Sequence, residues 1–201
     1  QGVALRFGAA VTRAEESARQ VTTWFAQGEA VTSDLLVLCI GTRARTELAR
    51  AAGLEVDRGI VVDDSMQTSA PGIYAAGDCC QGREIMSGGH QIIGLWANAA
   101  YQGQTAGHCM AGDPVIFSGN ILHNITHFMG MDFVGFGNVR AQGEVHRVGR
   151  PTDRRYIEAV VADGELRCVN LLDSYHISRV VKNYLMNRFT GNRAPLPTAL
   201  R

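Results

Sequence analysis

Eleven residues, Thr68–Asp78, restrict the possible folds of this chain more than any other segment; they read TSAPGIYAAGD. Pro71 favours an extended conformation in the residue before it, and residues 73–76 then predict a short buried strand. Gly77 at the end of that strand allows a ligand to approach the backbone, and Asp78 places a carboxylate just beyond it. Ligands of open α/β sheets bind at such strand ends. A carboxylate there suits the hydroxyls of a sugar or ribityl chain.

The residues before this run also predict α/β structure. Residues 35–40 (LLVLCI) are apolar at every position, which is typical of a strand covered on both faces. That strand ends at Gly41-Thr42. Residues 46–52 predict a short helix with Gly53 at its C-cap, and residues 60–62 predict another strand.

A helix rich in small residues is predicted from about Leu95 to Met110, after the glycine-rich loop 87–90. Each glycine inside a helix costs roughly 1 kcal/mol relative to alanine. Gly103 and Gly107 therefore predict the close approach of another backbone. The helix is expected to stop at Gly112, just before Pro114.

The two ends of the chain predict mainly antiparallel structure. Asp163-Gly164 is a strong hairpin signal. The apolar spacing from Ile177 to Leu185 predicts an amphipathic helix laid on the C-terminal sheet. Residues 192–201, with two prolines, are expected to fray. The predicted strands are 3–7, 9–15, 21–25 (followed by a turn at Gln27-Gly28), 121–128, 133–139, 155–161 and 166–172.

Composition excludes several classes of function. Basic and acidic residues number 19 each, so no electrostatic footprint for nucleic acid is present. No apolar stretch approaches about 18 residues, so no membrane span is expected. Five cysteines without framework spacing argue against a disulfide-stapled secreted domain and favour a reducing, cytoplasmic setting. The chain opens on Gln1-Gly2, and we expect it to be a fragment of a longer protein.

The full run Thr68–Asp78 resembles the second flavin-binding motif of the pyridine nucleotide-disulfide oxidoreductase superfamily, whose members carry two dinucleotide-binding domains. The resemblance implies that Asp78 contacts the ribityl chain of FAD. Residues 34–43 are similar to the strand and glycine turn, here Gly41-Thr42, where the NAD(P)H domain returns to the FAD domain. Residues 47–63 are similar to the linker helix and strand of the family.

Downstream, residues 95–107 resemble the family helix whose N-terminus faces the isoalloxazine ring. The resemblance thus implies cofactor contacts at Leu95, Trp96 and Ala97, besides Gly41, Thr42, Gly77 and Asp78. A helix N-terminus suits reduced flavin because its free N–H groups and dipole favour negative charge. Residues 117–137 are most similar to the branch of rubredoxin reductases, NADH oxidases and nitrite reductase flavoproteins.

Taken with the resemblance, the expected fold class is α/β: the C-terminal part of a two-dinucleotide-binding-domain flavoprotein, followed by an α+β interface domain with an antiparallel sheet. The implied division is a tail of the NAD(P)H-binding domain (1–43), part of the FAD-binding domain (44–112) and an antiparallel interface domain (113–201). The implied cofactors are FAD and NAD(P)H. The implied partners are the absent N-terminal half, an electron acceptor that is not identified, and a second copy in a homodimer.

The implied function is transfer of electrons from NAD(P)H through FAD to a protein or small-molecule acceptor, with the fragment alone inactive. Both glycine-rich dinucleotide turns of the family are absent from this chain, so the alternative is a non-catalytic dimerisation module with vestigial cofactor motifs. The redox-active cysteines of the family, where present, lie in the half that this chain lacks, so no catalytic cysteine is assigned here.

Several residues have simpler interpretations, which we prefer except at Trp96. The adjacent Cys79 and Cys80 are expected to be ordinary buried thiols rather than a vicinal disulfide. His123 and His127 share a face but lack further ligands at useful spacing, so no metal site is expected. His90 is interpreted as a loop-structuring residue. Trp96 is either a core anchor or, as we favour, a residue whose backbone lies near the flavin.

Overall fold

The computed structural model describes residues 2–191, and these form two compact units that divide between Thr42 and Arg43. The first unit contains a three-stranded antiparallel sheet in the order β1-β2-β3. A tight turn joins β2 to β3, with Gly28 at φ +87° and its N–H donating to the carbonyl of Phe25 (2.9 Å). The strands are β1 (Val11–Glu16), β2 (Val21–Phe25) and β3 (Ala30–Ser33).

Two predicted strands of the first unit do not form. Residues 3–7 and 35–40 have no strand pairing, and their large apolar side chains are exposed, Leu35 by 74% and Ile40 by 88%. A strand covered on both faces needs neighbours on each side, and the described sheet of this unit ends at Ser33. Apolar composition alone therefore gave the wrong prediction here.

The second unit begins with short elements around a small core. The predicted helix is confirmed as α1 (Glu47–Ala51), followed by Gly53 at φ +74°. Residues 73–76, predicted as a strand, contain only an isolated bridge from Tyr74 to Gln67. The strand of this region instead follows Asp78. The further elements are β4 (Ile60–Val61), β5 (Cys80–Arg83), β6 (His90–Gln91) and α2 (Trp96–Met110); β4 pairs parallel to β5, and β5 antiparallel to β6.

The rest of the second unit is a five-stranded antiparallel sheet in the order β7-β8-β11-β10-β9. The predicted hairpin between β10 and β11 is confirmed, since Asp163 and Gly164 both have positive φ (54° and 71°). The strand β9 (Glu144–Arg150) was not predicted from the sequence, because its four charged or imidazole side chains obscure the apolar alternation. The strands are β7 (His123–Phe128), β8 (Met131–Gly137), β9 (Glu144–Arg150), β10 (Arg155–Ala162) and β11 (Glu165–Leu172).

The amphipathic helix is confirmed as α3 (Ser178–Phe189), and it covers one face of this sheet. Its apolar stripe, Val181 and Leu185, is fully buried against Val134 and Phe136 of β8 and the neighbouring strands. The architecture is thus mixed α/β with antiparallel sheets. Among residues 2–191, no helix is both long and apolar enough to cross a membrane.

Candidate functional site

Gly77 and Asp78 form a turn at the start of β5 that fits the expected ligand approach. Gly77 has φ +85°, a conformation that favours glycine. Its N–H donates to the side-chain oxygen of Gln102 on α2 (2.8 Å), and Gln102 is 1% exposed. A Cβ at Gly77 would lie 3.4 Å from that of Ala99. The turn is therefore fixed against the first half of α2.

Asp78 presents an exposed carboxylate next to the beginning of α2. A Cβ placed on Gly94 would lie 3.8 Å from Oδ2 of Asp78, and Gly94 immediately precedes Leu95, the N-cap of α2. The glycine therefore leaves the space between the carboxylate and the helix start open. The structure thus places Asp78 beside the residue that precedes Leu95, and the contact of Asp78, Leu95, Trp96 and Ala97 with a cofactor stays a prediction.

The N-terminus of α2 has no side-chain cap. Leu95 is extended (φ −133°, ψ 132°), and no acidic residue lies in the first turn. The first N–H groups of a helix have no acceptor within the helix, so Trp96 and Ala97 offer free donors at its positive end. This end can receive an anionic or carbonyl group from a ligand.

Buried amides that sequence analysis did not single out hold this helix start in place. Asn98 is fully buried, and its Nδ2 donates to the carbonyl of Ile93 (3.1 Å). Its Oδ1 accepts from Nδ2 of Asn120 (3.2 Å), which is also buried. The available signal was the spacing of Asn98 and Gln102, because two amides four residues apart lie on one helix face.

Comparison with known proteins identifies the family. The sequence profile described as pyridine nucleotide-disulphide oxidoreductase matches residues 1–103. This chain belongs to the pyridine nucleotide-disulphide oxidoreductase family. The cofactors of that family are FAD and NAD(P)H, in agreement with the sequence-based expectation.

Individual relatives of this family member cover it to different extents. The epsilon subunit of an NADH-dependent phenylglyoxylate dehydrogenase from Aromatoleum evansii is 30% identical over 186 residues, 90% of this chain and 44% of that protein. A nitric oxide reductase FlRd-NAD(+) reductase from Aeromonas salmonicida is 45% identical over 102 residues, 49% of this chain and 26% of that protein. The chain thus spans less than half the length of these relatives.

Solved structures share the fold. A ferredoxin reductase from Rhodopseudomonas palustris superimposes with a TM-score of 0.81 at 21% identity, over 99% of this chain and 48% of that chain. A covalent putidaredoxin reductase–putidaredoxin complex gives a TM-score of 0.80 at 24% identity, over 91% of this chain and 44% of that chain.

The remaining predicted site residues of this family member lie in the first unit. Gly41 has φ +91°, and a Cβ there would meet no atom within 4 Å. Thr42 is exposed and lies outside any helix or strand. The contact of these two residues with a cofactor stays a prediction.

The structure bears on two interpretations of α2. Trp96 is 92% exposed, which argues against the alternative of a core anchor; the favoured interpretation, a backbone near the flavin, stays a prediction. Gly103 and Gly107 have no atom within 4 Å of an added Cβ, so no other backbone in the described part of the second unit approaches them.

The cysteines near the turn are thiols. Cys79 is partly buried, Cys80 is buried, and neither forms a disulfide. Burial, with smaller contributions from the neighbouring Cys79 and Asp78, raises the pKa of Cys80 to about 12. Its Sγ donates to the carbonyl of Gly77 (3.4 Å). Cys80 is thus an unreactive packing group.

The histidines have local structural contacts. His90 is exposed and begins β6, where its carbonyl accepts from Nε2 of Gln81 (3.4 Å). His123 stacks on Phe136 at 5.8 Å between ring centroids, and burial lowers the pKa of His123. Nδ1 of His127 lies 2.5 Å from Oδ1 of Asp132. Within residues 2–191, no three His, Cys, Asp or Glu side chains are grouped to hold a metal ion.

Proposed function

We propose that the intact protein passes electrons from NAD(P)H through FAD to a protein or small-molecule acceptor, and that this chain supplies one wall of the flavin site. Residues 44–112 would be the C-terminal part of the FAD-binding domain and 1–43 the tail of the NAD(P)H-binding domain. The observation that carries the proposal is the exposed carboxylate of Asp78 beside the uncapped N-terminus of α2.

The donors and acceptors at this wall fit the two polar parts of a flavin. The Asp78 carboxylate is an acceptor that suits ribityl hydroxyls, and Gly77 and Gly94 add no side chain that would fill the space beside it. The free N–H groups of Trp96 and Ala97 suit an electron-rich ring edge. When bound, FAD supplies hydride acceptance from NAD(P)H and release of electrons.

The names of the relatives support a redox function with a protein acceptor. One is a rubredoxin-NAD(+) reductase from Pseudomonas putida, 40% identical over 85 residues. Another is a ferredoxin–NAD(+) reductase component from Photorhabdus laumondii, 38% identical over 112 residues. Membership in this electron-transfer branch, a homodimeric state and a cytoplasmic location are part of the proposal, and five free thiols are compatible with a reducing compartment.

The test uses the full-length protein that contains this chain. We expect a flavin absorbance band that NADH or NADPH bleaches anaerobically. Asp78→Ala should weaken FAD binding by about 10- to 100-fold, because a hydrogen bond to a charged group contributes about 1.5–3 kcal/mol. The matched control is Asp153→Ala, which removes an exposed carboxylate from the 3-10 turn before β10 and should leave FAD binding unchanged.

Two outcomes would reject the proposal. A protein that stays colourless after addition of FAD would favour the non-catalytic dimerisation module. Equal FAD affinity in Asp78→Ala and Asp153→Ala would remove Asp78 from the flavin site even if the protein binds FAD elsewhere.

A further inference from the structure

One buried side chain of α2, that of Gln102, contacts the chain both before and after Asp78. Gln102 is 1% exposed. Its Oε1 accepts a hydrogen bond from the N–H of Gly77 (2.8 Å), the residue before Asp78. Sγ of Cys80, two residues after Asp78, lies 3.6 Å from the same oxygen, which is a weaker contact. A single oxygen of α2 therefore holds both flanks of Asp78.

The other end of the Gln102 amide lies against the backbone of β5 at Gly82. A Cβ built on Gly82 would overlap Nε2 of Gln102. The φ of Gly82 is not positive, and Gly82 pairs with Gln91 in a regular antiparallel ladder. Space for the Gln102 amide, rather than backbone conformation, therefore requires glycine at this position.

A buried amide on α2 needs a reason, because burial of a polar side chain is costly unless it is hydrogen-bonded. In residues 2–191, both contacts that Oε1 of Gln102 makes with donors are with the turn before β5. Apolar packing alone would favour a leucine or methionine here. The glutamine is thus explained by what it holds, the segment that carries Asp78.

Gln102 belongs to the same helix whose N-terminus forms the other half of the proposed flavin site. It lies six residues after Trp96, about 9 Å further along the helix axis. A continuous helix transmits the position of one turn to the next, so the bond to Gly77 fixes the spacing between the Asp78 carboxylate and the free N–H groups of α2. Both groups can reach one flavin only if this spacing is maintained.

We propose that Gln102 is a positioning residue of the flavin site, which sets the place of Asp78 relative to the N-terminus of α2 and does not itself contact the flavin. This rests on the proposed function. It assigns FAD affinity partly to a buried residue on the side of the turn that faces the protein.

The first measurement needs no cofactor and follows amide hydrogen exchange at Gly77 in the full-length protein. Gln102→Met keeps the length of the side chain and removes the acceptor, so Gly77 should exchange at least about 10-fold faster than in wild type. The matched control is Thr105→Val on the same helix. Thr105 is 8% exposed, and its hydroxyl donates to the carbonyl of Tyr101 (3.0 Å). Its loss should leave the exchange of Gly77 unchanged.

The second measurement is a double-mutant cycle on FAD affinity in the full-length protein. Gln102→Met should weaken FAD binding by about 3- to 10-fold, the effect of one neutral hydrogen bond. In the Asp78→Ala background the same change should alter the affinity by less than about 2-fold, because residues that act through one another are not additive. Thr105→Val should leave FAD affinity unchanged in both backgrounds, whatever it costs in stability.

A second variant perturbs the same contact from the opposite side. Gly82→Ala leaves Gln102 chemically intact but displaces its amide, so it should reproduce both the faster exchange of Gly77 and the weaker FAD binding. Circular dichroism melts show whether each variant is folded. If Gln102→Met does not fold, Gly82→Ala carries the test alone.

The outcomes separate this role from the proposed function. Unchanged exchange at Gly77 in the folded variants, or FAD affinity equal to that of Thr105→Val, rejects the positioning role alone. An equal loss of affinity with and without the Asp78 carboxylate shows that Gln102 does not act through Asp78, and also rejects it. Full-length protein that binds no FAD, or in which Asp78→Ala has no effect, rejects the proposed function and the positioning role with it, even where the exchange of Gly77 responds.

Discussion

Gly77 and Gly72 provide a matched pair that tests the role of the turn before β5 in the proposed flavin site. Both have positive φ (85° and 78°), but a Cβ at Gly77 would face Ala99 at 3.4 Å, whereas one at Gly72 would meet nothing within 4 Å. Each Gly→Ala change should cost about 1–2 kcal/mol of unfolding free energy, because an L-residue is strained in this region. In the full-length protein, only Gly77→Ala should also weaken FAD binding. Urea unfolding and flavin titration check the two expectations, and equal FAD affinities would contradict the second.

Cys80 predicts a pH dependence of stability. Its pKa is raised from 9.0 to about 12 by burial first and by Cys79 and Asp78 second. The unfolded thiol therefore ionises at lower pH than the folded one, so this contribution is present below pH 9 and is lost as pH rises from about 9 to about 12.

Comparison with Cys80→Ala isolates that contribution. Between about pH 8 and about pH 10.5, wild type should lose roughly 2 kcal/mol more unfolding free energy than the variant. The difference between pH values cancels the cost of the smaller side chain. Urea titrations at both pH values give the result, and parallel losses in the two proteins would show that Cys80 does not contribute.

At the scale of elements, α3 depends on its buried stripe. Leu185 is 0% exposed and Val180 is 44% exposed on the same helix. Leu185→Ala should cost about 2–5 kcal/mol because it leaves a cavity against the sheet. Val180→Ala, the control, should stay within about 0.5 kcal/mol of wild type. Chemical denaturation measures both, and a small effect at Leu185 would mean that the helix does not depend on this contact.

Local signals predicted the elements whose determinants lie within them. The turn at Asp163-Gly164 and the stripe of α3 were correct because positive φ and helical spacing are encoded in a few adjacent residues. The strand predicted over residues 35–40 does not form, because a strand covered on both faces depends on neighbouring strands from elsewhere in the chain. The strand after Asp78 was missed because its residues, Cys80–Arg83, have no apolar alternation.

The candidate site likewise combines features that are encoded locally with features that depend on distant segments. The motif singled out Gly77, Asp78 and the start of α2, whose contact with a cofactor stays a prediction. The support by Asn98, Asn120 and Gln102 was not predictable from the motif, because these buried amides are set by contacts between distant segments. A sequence pattern identifies which groups can meet a ligand, whereas the residues that hold them in place follow from tertiary packing.

At the scale of the whole molecule, the two units differ in what stabilises each of them. Among residues 2–42, Thr23 is the one buried residue, so the sheet β1–β3 rests on backbone pairing with little apolar burial. A three-stranded sheet needs a hydrophobic face for independent stability. In the second unit, Val134 of β8 and Val169 of β11 are fully buried in a continuous core.

Hydrogen exchange of the full chain should therefore report two stabilities. Amides of β1–β3 should exchange by local opening, with protection at least about 100-fold below that of β8 and β11, because opening free energies follow local burial. The amides at Thr23 and Val31, which are paired across β2 and β3, are suitable probes of the first unit, and Val134 and Val169 of the second. Equal protection in the two units would show that residues 2–42 unfold only with the second unit, and that backbone pairing alone does not determine their stability.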